Sequence, residues 1–556
     1  MKQFIKSKPT AYKSFEREKI MDEFSEEERH LLEPFVSNLD KPVFTLMNLP
    51  EVVKGALFSR YSRSAKSLRR VLLDEFMLSP ELALKDMLQS LPKNQQNVVK
   101  TKKAEEFYER VLVGYGDDSV AELAGAHLAI EDISILATKT VQDSRIGLSP
   151  LEKSTRYVYF DNKRDDKWLY HREKTIMSSE LAELYEKTCD FCFQTYANLI
   201  PKIGQFVMEH QPKDDTTSDR AYKSTVRAKT CDILRGLLPA STLTNMGFFG
   251  DGRAFEYLLT KMYGDDLVEM RDLAAMMQTE LAAVIPSFVK RANDKYGISM
   301  QEYFKRTRVA MEGVARAHSN PLGSESVVLV EYDKEAERKI IVAALYPHLL
   351  KPMEEIAKIV DRMNQEEKES VITAYINERE NRRHKPGRAF EHCFYTFDVC
   401  ANYGAYRDLH RHRILTQQRQ LLTPYLGYKM PPEIVEAGYE KEFKEVMGST
   451  KNAYEEIAKR YRKEAQYVVP LAYNIRWYMT YSIREAYHML ELRSSMQGHT
   501  DYRKIAQDMF REIEKVHPLL ASGMKFMDMK EYTFERLEAE KRIDKKMEEI
   551  AKKYGQ

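Results

Sequence analysis

The sequence predicts an α+β protein in which one domain, a small sheet packed by long helices, is written twice. Three observations predict it: long stretches with apolar residues at helical spacing, a β-branched run beside a linker near the middle, and landmark residues that recur at a fixed interval. Residues 1–45 are polar, carry the acidic run Ser25-Glu-Glu-Glu-Arg, and read as a short helical extension. From Pro50 the texture turns amphipathic, with Val52, Val53, Ala56 and Leu57 leading to Leu68, Val71 and Leu72 at helical spacing. Residues 181–212, 351–380 and the stretch around 300–316 carry the same period. Residues 317–326, rich in Ser, Asn, Pro and Gly, read as a linker, and the following VVLVEYD reads as a strand. The boundary is therefore placed near residue 321, giving domains 46–320 and 321–540. The Lys/Glu-rich residues 541–556 close the chain as a solvated helix with i,i+4 charge pairs.

Composition narrows the function classes. The 556 residues include 87 Lys+Arg and 85 Asp+Glu, a net charge of +2, with 43% hydrophobic residues, enough for a folded core. A near-neutral balance argues against a nucleic-acid partner, which needs clustered cations to release counterions. Five cysteines are too few and odd in number for a disulfide framework. The pair Cys189 and Cys192 lies in a helical pattern with no second CxxC or HxxxH, so it reads as two part-buried thiols, and no metal site is expected. The N-terminus has no apolar core of a signal peptide, and no run of roughly 18 apolar residues could span a bilayer. A reducing, cytoplasmic setting is the expectation.

The repeat is carried by landmarks. Glu122 and Glu391 lie 269 residues apart, and Arg145 and Arg413 lie 268 apart. Pro239 and Arg253 recur 231 residues on as Pro470 and Arg484, so the first copy holds about 38 more residues between its landmarks.

Two segments concentrate chemistry. In His410-Arg411-His412-Arg413, four adjacent cationic or titratable groups repel one another unless an anion or electron-rich ligand sits among them. An extended backbone would put Arg411 and Arg413 on one face, a fork for phosphate or a carbonyl-rich ring, with His412 opposite. In Ser149-Pro-Leu-Glu152-Lys-Ser154-Thr-Arg156-Tyr157, the same alternation would place Glu152, Ser154 and Arg156 together, with Ser and Arg as a phosphate pair and Glu as acceptor for a sugar hydroxyl or a base. Gly250-Asp-Gly252-Arg reads as a turn, and His127 as a satisfied core histidine.

Those residues carry a resemblance. The pattern RHRxxSxNExSxRY is the signature of the flavin-dependent thymidylate synthases, and this sequence resembles that family from about Leu46 to about Ala506 as a tandem pair. The second copy is similar in HKPGRAFEHCFYTF, LHRHRI and SIREAYHMLELRSS; the first in SRYSRS, SPLEKSTRY and ILRGLLPASTLTNMGFFGDGR. The resemblance implies two domains, each a small, mainly antiparallel sheet packed by long helices. It implies reductive C5 methylation of dUMP using FAD, NADPH and methylenetetrahydrofolate, with two alternatives: a related flavin-dependent modification of another pyrimidine nucleotide, or a non-catalytic scaffold that binds nucleotide or flavin. Motif residues are lost in complementary fashion. The first copy reads Asp143-Ser144-Arg145 at the RHR position but keeps Glu152, Ser154, Arg156 and Arg235. The second keeps RHR, Glu391, His392, Arg484 and Arg493 but reads Thr416, Gln418, Arg419, Leu421 and Thr423 downstream, with Gln466 at the phosphate Arg. Asp408 stands where many members carry a Gln, Asp251 replaces an Asn and Met262 an Arg. What the resemblance implies is one composite site per chain: Glu152, Ser154, Thr155, Arg156 and Arg235 toward the nucleotide, and Arg411, His412, Arg413, Ile414, Glu391, His392, Arg484 and His488 toward the cofactor. Arg411 and Arg493 would stabilise charge on the reacting uracil. The reciprocal site would be dead, and a homodimer would stand in for the family's tetramer.

Overall fold

The computed structural model describes residues 23–78, 118–316 and 323–555, apart from Arg63, Arg145 and Ser324. Most of the expected linker, the boundary near 321, and Arg145 therefore lie outside the described residues. The chain divides into two compact units. The smaller holds Met1–Ala126, Gly250–Leu259 and Met276–Gly297; the larger holds His127–Phe249, Thr260–Ala275 and Ile298–Gln556.

In the smaller unit, α1 (Glu26–Leu32) starts at a capping box, with Ser25 Oγ accepting from Glu28 N at 3.2 Å and Glu28 accepting from Ser25 N at 2.9 Å. It is the one helix among the described residues of 1–45, and it is no projecting arm. Leu32, Phe35, Val36 and Leu39 are buried, and Glu28 pairs with Arg70 at 3.0 Å. The amphipathic stretch after Pro50 forms α2 (Glu51–Tyr61) and α3 (Leu68–Val71), the latter running into a wider π-helical turn over Leu72–Met77. Val53, Ala56, Leu57, Leu68, Val71 and Leu72 are all buried, as the spacing predicts.

The glycines at 250–252 do not make a free turn. The strand Leu243–Asp251 passes directly into the helix Gly252–Tyr263, with Asp251 Oδ1 accepting from Ala254 N at 2.8 Å. A Cβ on Gly252 would lie 2.5 Å from Phe288 Cβ and 3.1 Å from Ala121 O. Gly252→Ala is expected to cost about 1–3 kcal/mol by overpacking, read as a lower urea midpoint with unchanged slope.

The larger unit mixes helix and sheet. With strands β1 (Gly125–Ser134), β2 (Leu148–Glu152), β3 (Lys163–Arg164), β4 (Lys167–Trp168), β5 (Leu243–Asp251), β6 (Ser326–Tyr332), β7 (Phe394–Asn402), β8 (Thr416–Arg419) and β9 (Asn474–Ser482), the sheets run β1-β5-β2, β3-β4 and β6-β7-β9-β8. Every ladder of the four-stranded sheet is antiparallel. β6 is the strand expected from VVLVEYD. Helices α4 (Ile135–Asp143), α5 (Ala182–His210), α6 (Asp219–Leu234), α7 (Tyr403–Leu409), α8 (Ile483–Arg493), α9 (Thr500–Val516) and α10 (Leu537–Tyr554) position the site. The long pattern at 181–212 is α5; that at 351–380 is two helices, Met353–Arg362 and Gln365–Ile376, split where Asn364 forms a second capping box. The C-terminal helix begins at Leu537 and is not wholly solvated: Glu540 is buried and pairs with Arg220 of α6 at 2.9 Å. His127 is exposed, its ring 4.8 Å from that of Phe249, so it is no core histidine. The five cysteines are free and buried, and burial pushes Cys189, Cys231 and Cys393 up to about 12, which leaves unreactive thiols. No helix among the described residues is long and apolar enough to cross a membrane.

Segments far apart in the chain have matching geometry. β1 leads into α4 and β7 into α7, and the last strand residue caps each helix: Ser134 Oγ accepts from Ala137 N at 2.9 Å, Asn402 Oδ1 from Ala405 N at 2.8 Å. Between Pro239 and Pro470, Ala240 N donates to Val469 O and Leu471 N to Leu238 O, both at 2.9 Å; Ser241 N donates to Tyr467 O and Ala472 N to Gly236 O, both at 3.0 Å. Each bond has its counterpart 231 residues away, so these segments meet about a local twofold.

Candidate functional site

β2 closes at Glu152, whose carboxylate turns inward and is fully buried. It accepts from Lys139 Nζ at 2.9 Å and Gln142 Nε2 at 3.0 Å on α4, and from Arg407 Nη2 at 2.6 Å on α7, with Arg411 Nη2 at 3.6 Å. Burial alone would raise this carboxyl; Arg407, Lys139 and Arg411 outweigh it and hold the group well below the usual range. Burial likewise brings the Lys139 ammonium down to about 7, against the pull of Glu152.

Past Glu152 the chain leaves the strand. Ser154 Oγ accepts from Arg156 N at 3.1 Å, a local turn that ends the alternation expected for Glu152, Ser154 and Arg156. Arg156 then donates to both oxygens of Asp232 on α6, at 2.8 and 2.7 Å, and to the Tyr502 hydroxyl on α9 at 3.0 Å. Thr155 Oγ1 accepts from Arg407 Nη1 at 3.1 Å. Arg536 donates to Arg156 O at 3.1 Å and to Asp232 at 3.4 Å. Arg235, following α6, donates through Nη1 to Asp408 Oδ2 at 3.1 Å, while its Nη2 and the Nε of Arg407 are buried with no hydrogen-bond partner among the described residues. Burial raises Asp408, but Arg235, Arg411, Arg156 and Arg493 overcome that, so it stays ionised as their counter-ion.

His410–Arg413 is the turn that ends α7 rather than an extended segment. His410 Nδ1 donates to Arg407 O at 3.0 Å and Arg411 Nε to the same carbonyl at 3.1 Å, which satisfies the helix end. Arg411 and Arg413 still face outward and His412 inward. Arg413 donates to Ser149 Oγ at 2.9 Å, and Ile414 is 64% exposed. Half-buried Arg493, at the end of α8, donates through Nε to His412 Nε2 at 2.9 Å. Glu391, His392 and Arg484 form a second group: Arg484 Nη1 meets Glu391 Oε1 at 3.3 Å, its Nε donates to Pro386 O at 2.8 Å, and His392 is exposed. His488 stands one turn past Arg484 on α8, 3.2 Å from Glu485 Oε1.

Burial lowers His412 to about 4, although Glu485 opposes the shift. An unfolded histidine takes up its proton near 6.5, so stability is lost as pH falls from about 6.5 toward 4. His412→Asn is expected to flatten that limb of the stability–pH curve, measured by urea unfolding at several pH values.

Of the residues at the repeat interval, Lys139 and Arg407, 268 apart, are both cationic, whereas Asp143 and Arg411, also 268 apart, and Glu152 and Arg419, 267 apart, carry opposite charge. Where Glu152 faces Arg407 and Arg411, Arg419 faces Asp143 at 2.5 Å.

Six guanidiniums, of Arg156, Arg235, Arg407, Arg411, Arg493 and Arg536, thus surround three carboxylates, of Glu152, Asp232 and Asp408, and the cluster reaches solvent at Arg411. Fold and site define an α+β protein with a cationic centre suited to a phosphate-bearing ligand. The chain belongs to the thymidylate synthase complementing protein family, whose sequence profile matches residues 70–287 and 328–519. It is 44% identical to a UPF0159 protein of Chlamydia muridarum over 94% of this chain and 98% of that one. It is 28% identical to a flavin-dependent thymidylate synthase of Sulfolobus acidocaldarius over 35% of this chain and 74% of that one. Among solved structures, a UMP/dUMP methylase, PolB, of Streptomyces cacaoi is similar at 18% identity and a TM-score of 0.30, over 38% of this chain and 98% of that one.

Proposed function

We propose that the chain is a flavin-dependent enzyme that methylates C5 of a uridine nucleotide, dUMP in the simplest case, with NADPH as reductant and methylenetetrahydrofolate as one-carbon donor. The observation that carries the reading is the single cluster in which Thr155, Arg156 and Arg235 meet Arg407, Asp408, Arg411 and Arg493. Ser154, Arg156 and Arg235 would take the nucleotide phosphate. Arg493 and Arg411 would face the uracil and stabilise negative charge that develops on its carbonyl oxygens. The surplus of guanidinium and the orphaned Arg235 Nη2 fit an anionic cofactor as well as an anionic substrate. Arg411, His412, Arg413, Arg484 and His488 would hold FAD, with Ile414, Glu391 and His392 at the border of its site. When bound, FAD supplies the electron and one-carbon transfer. The chain's own residues bind, orient and compensate charge, and none need act as a nucleophile.

We read residues 46–320 and 321–540 as tandem copies of one domain, with one working site. In support, the local twofold pairs Pro239 with Pro470, and the Arg484–Glu391 pair has a counterpart in Arg253–Glu122 at 2.6 Å. The reciprocal position has Arg419 where Glu152 stands. A small solvent-open hollow beside Arg235 is lined by Gly236, Gly404 and Ala472. The equivalent positions carry Tyr467, Leu136 and Ser241, and the Tyr467 phenol is buried on Glu269 at 2.7 Å. Two chains would then form a homodimer with two sites.

Flavin content of the purified protein, followed by dUMP titration and release of tritium from C5 of labelled dUMP with NADPH and methylenetetrahydrofolate, tests the reading. Bound flavin with tritium release is the expected result. Flavin binding with a different uridine nucleotide would move the substrate, and a protein that takes up no flavin on reconstitution would sink the enzyme reading.

A further inference from the structure

Glu485 lies in the segment SIREAYHMLELRSS but has no role in the reading above, yet it organises the residues around Arg493. It lies in the first turn of α8, which ends at Arg493. Its Oε1 is 2.9 Å from His412 Nδ1 and 3.2 Å from His488 Nδ1. On the far side of the ring, His412 Nε2 accepts the Nε–H of Arg493 at 2.9 Å. A nitrogen that accepts from a guanidinium must carry the lone pair, so the proton of the neutral ring sits on Nδ1 and is donated to Glu485.

We propose that Glu485 and His412 are positioning residues that hold Arg493 by its Nε, so that its guanidinium is aimed at the carbonyl-bearing ring of a pyrimidine nucleotide. This rests on the nucleotide-site reading above and assigns a role to a residue outside it. The guanidinium carbon lies 5.7 Å from the centre of the Tyr502 ring, Tyr502 is also a hydrogen-bond partner of the side chain, and Asp408 and Arg411 are within electrostatic reach. An arginine has several rotatable bonds, and tethering it at Nε removes most of that freedom before a ligand arrives. Glu485, His488 and Arg493, all on α8, face His412. Their balance keeps the ring neutral near pH 7, which the tether requires. Glu485 is the acceptor that favours the Nδ1–H tautomer, and in the other tautomer Nε2–H would oppose the Arg493 donor.

The same geometry argues against a second function. The ligand atoms of His412, Glu485 and His488 lie within 4.8 Å of one another, a spacing that could hold a metal ion. In this arrangement His412 Nδ1 carries the proton and offers no lone pair to a cation.

The test is the tautomer of His412 in the intact protein, read by two-bond nitrogen–proton NMR of ¹⁵N-histidine-labelled chain at pH 7, with the signal assigned by its absence in His412→Asn. Titration with dUMP of wild type and Glu485→Ala accompanies it. Expected are the Nδ1–H tautomer in wild type, its loss in Glu485→Ala, and a dUMP affinity roughly 10–100-fold weaker in the variant, as for other residues that orient a ligand-binding group. Glu485→Gln keeps an acceptor oxygen and is expected to recover most of the affinity. An Nε2–H tautomer or an imidazolium in wild type overturns the proposal without any variant. So does stoichiometric zinc retained by wild type and lost from Glu485→Gln, or unchanged dUMP affinity in Glu485→Ala. A wild type that shows the Nδ1–H tautomer but binds neither flavin nor dUMP would instead retire the nucleotide-site reading.

Discussion

Glu152→Ala is expected to lower the stability of the protein by about 3–5 kcal/mol, the range for removing one partner from a buried ion pair. The side chain is wholly buried, and its two oxygens take hydrogen bonds from Lys139, Gln142, Thr138 and Arg407. Its loss strands Arg407 and a lysine that burial has already brought down to about 7. The lysine can shed its proton, but the guanidinium cannot, so the greater part of the penalty falls on Arg407. Urea unfolding measures it, and Glu152→Gln, which keeps two hydrogen-bonding atoms, should lose less than alanine. A midpoint unchanged in Glu152→Ala would show that the two segments are held together elsewhere. Glu152 was expected to touch substrate; its four partners instead make it the strut beneath Arg411.

Arg411→Ala is expected to lower turnover of the nucleotide by about 10²–10³, the loss typical for one donor to a developing oxyanion, and to release the flavin. Arg411 is held by a backbone carbonyl at its Nε and only loosely by Glu152, at 3.6 Å, so its terminal nitrogens remain for a ligand. Arg413, bonded to Ser149 at the surface, gives the contrast: Arg413→Ala should weaken flavin binding severalfold and leave folding intact. Absorbance of the bound flavin and steady-state rates measure both. Equal effects of the two substitutions would show that the pair acts as a fork and that Arg411 has no separate place at the uracil.

How much of this was legible in sequence follows from range and conformation. The strand at 326–332 and the helix at 182–210 show their period locally, and both lie where the pattern put them. The alternation read into Glu152–Arg156 and His410–Arg413 assumed extended backbone, whereas one segment leaves its strand at Glu152 and the other closes a helix. Inward and outward positions of Arg411, His412 and Arg413 came out as expected because a tight turn also alternates sides. Asp232, Arg407, Tyr502 and Arg536 carry no motif, and their roles come from partners up to 380 residues away. Asp232 had one local hint, its place three residues before Arg235. A net charge of +2 gave no sign of a cationic centre, since surface carboxylates balance the buried arginines.

The bond between Arg407 and Glu152 spans 255 residues of chain. At 5–20 residues per second, a ribosome needs roughly 10–50 s after making Glu152 to deliver Arg407. Through that interval the nascent first half has Lys139, Gln142 and Thr138, all within 14 residues, to neutralise and bond the carboxylate. Lys139 is thus the cation that the carboxylate's own segment supplies to it, and Arg407 the one that must come from the far half of the chain.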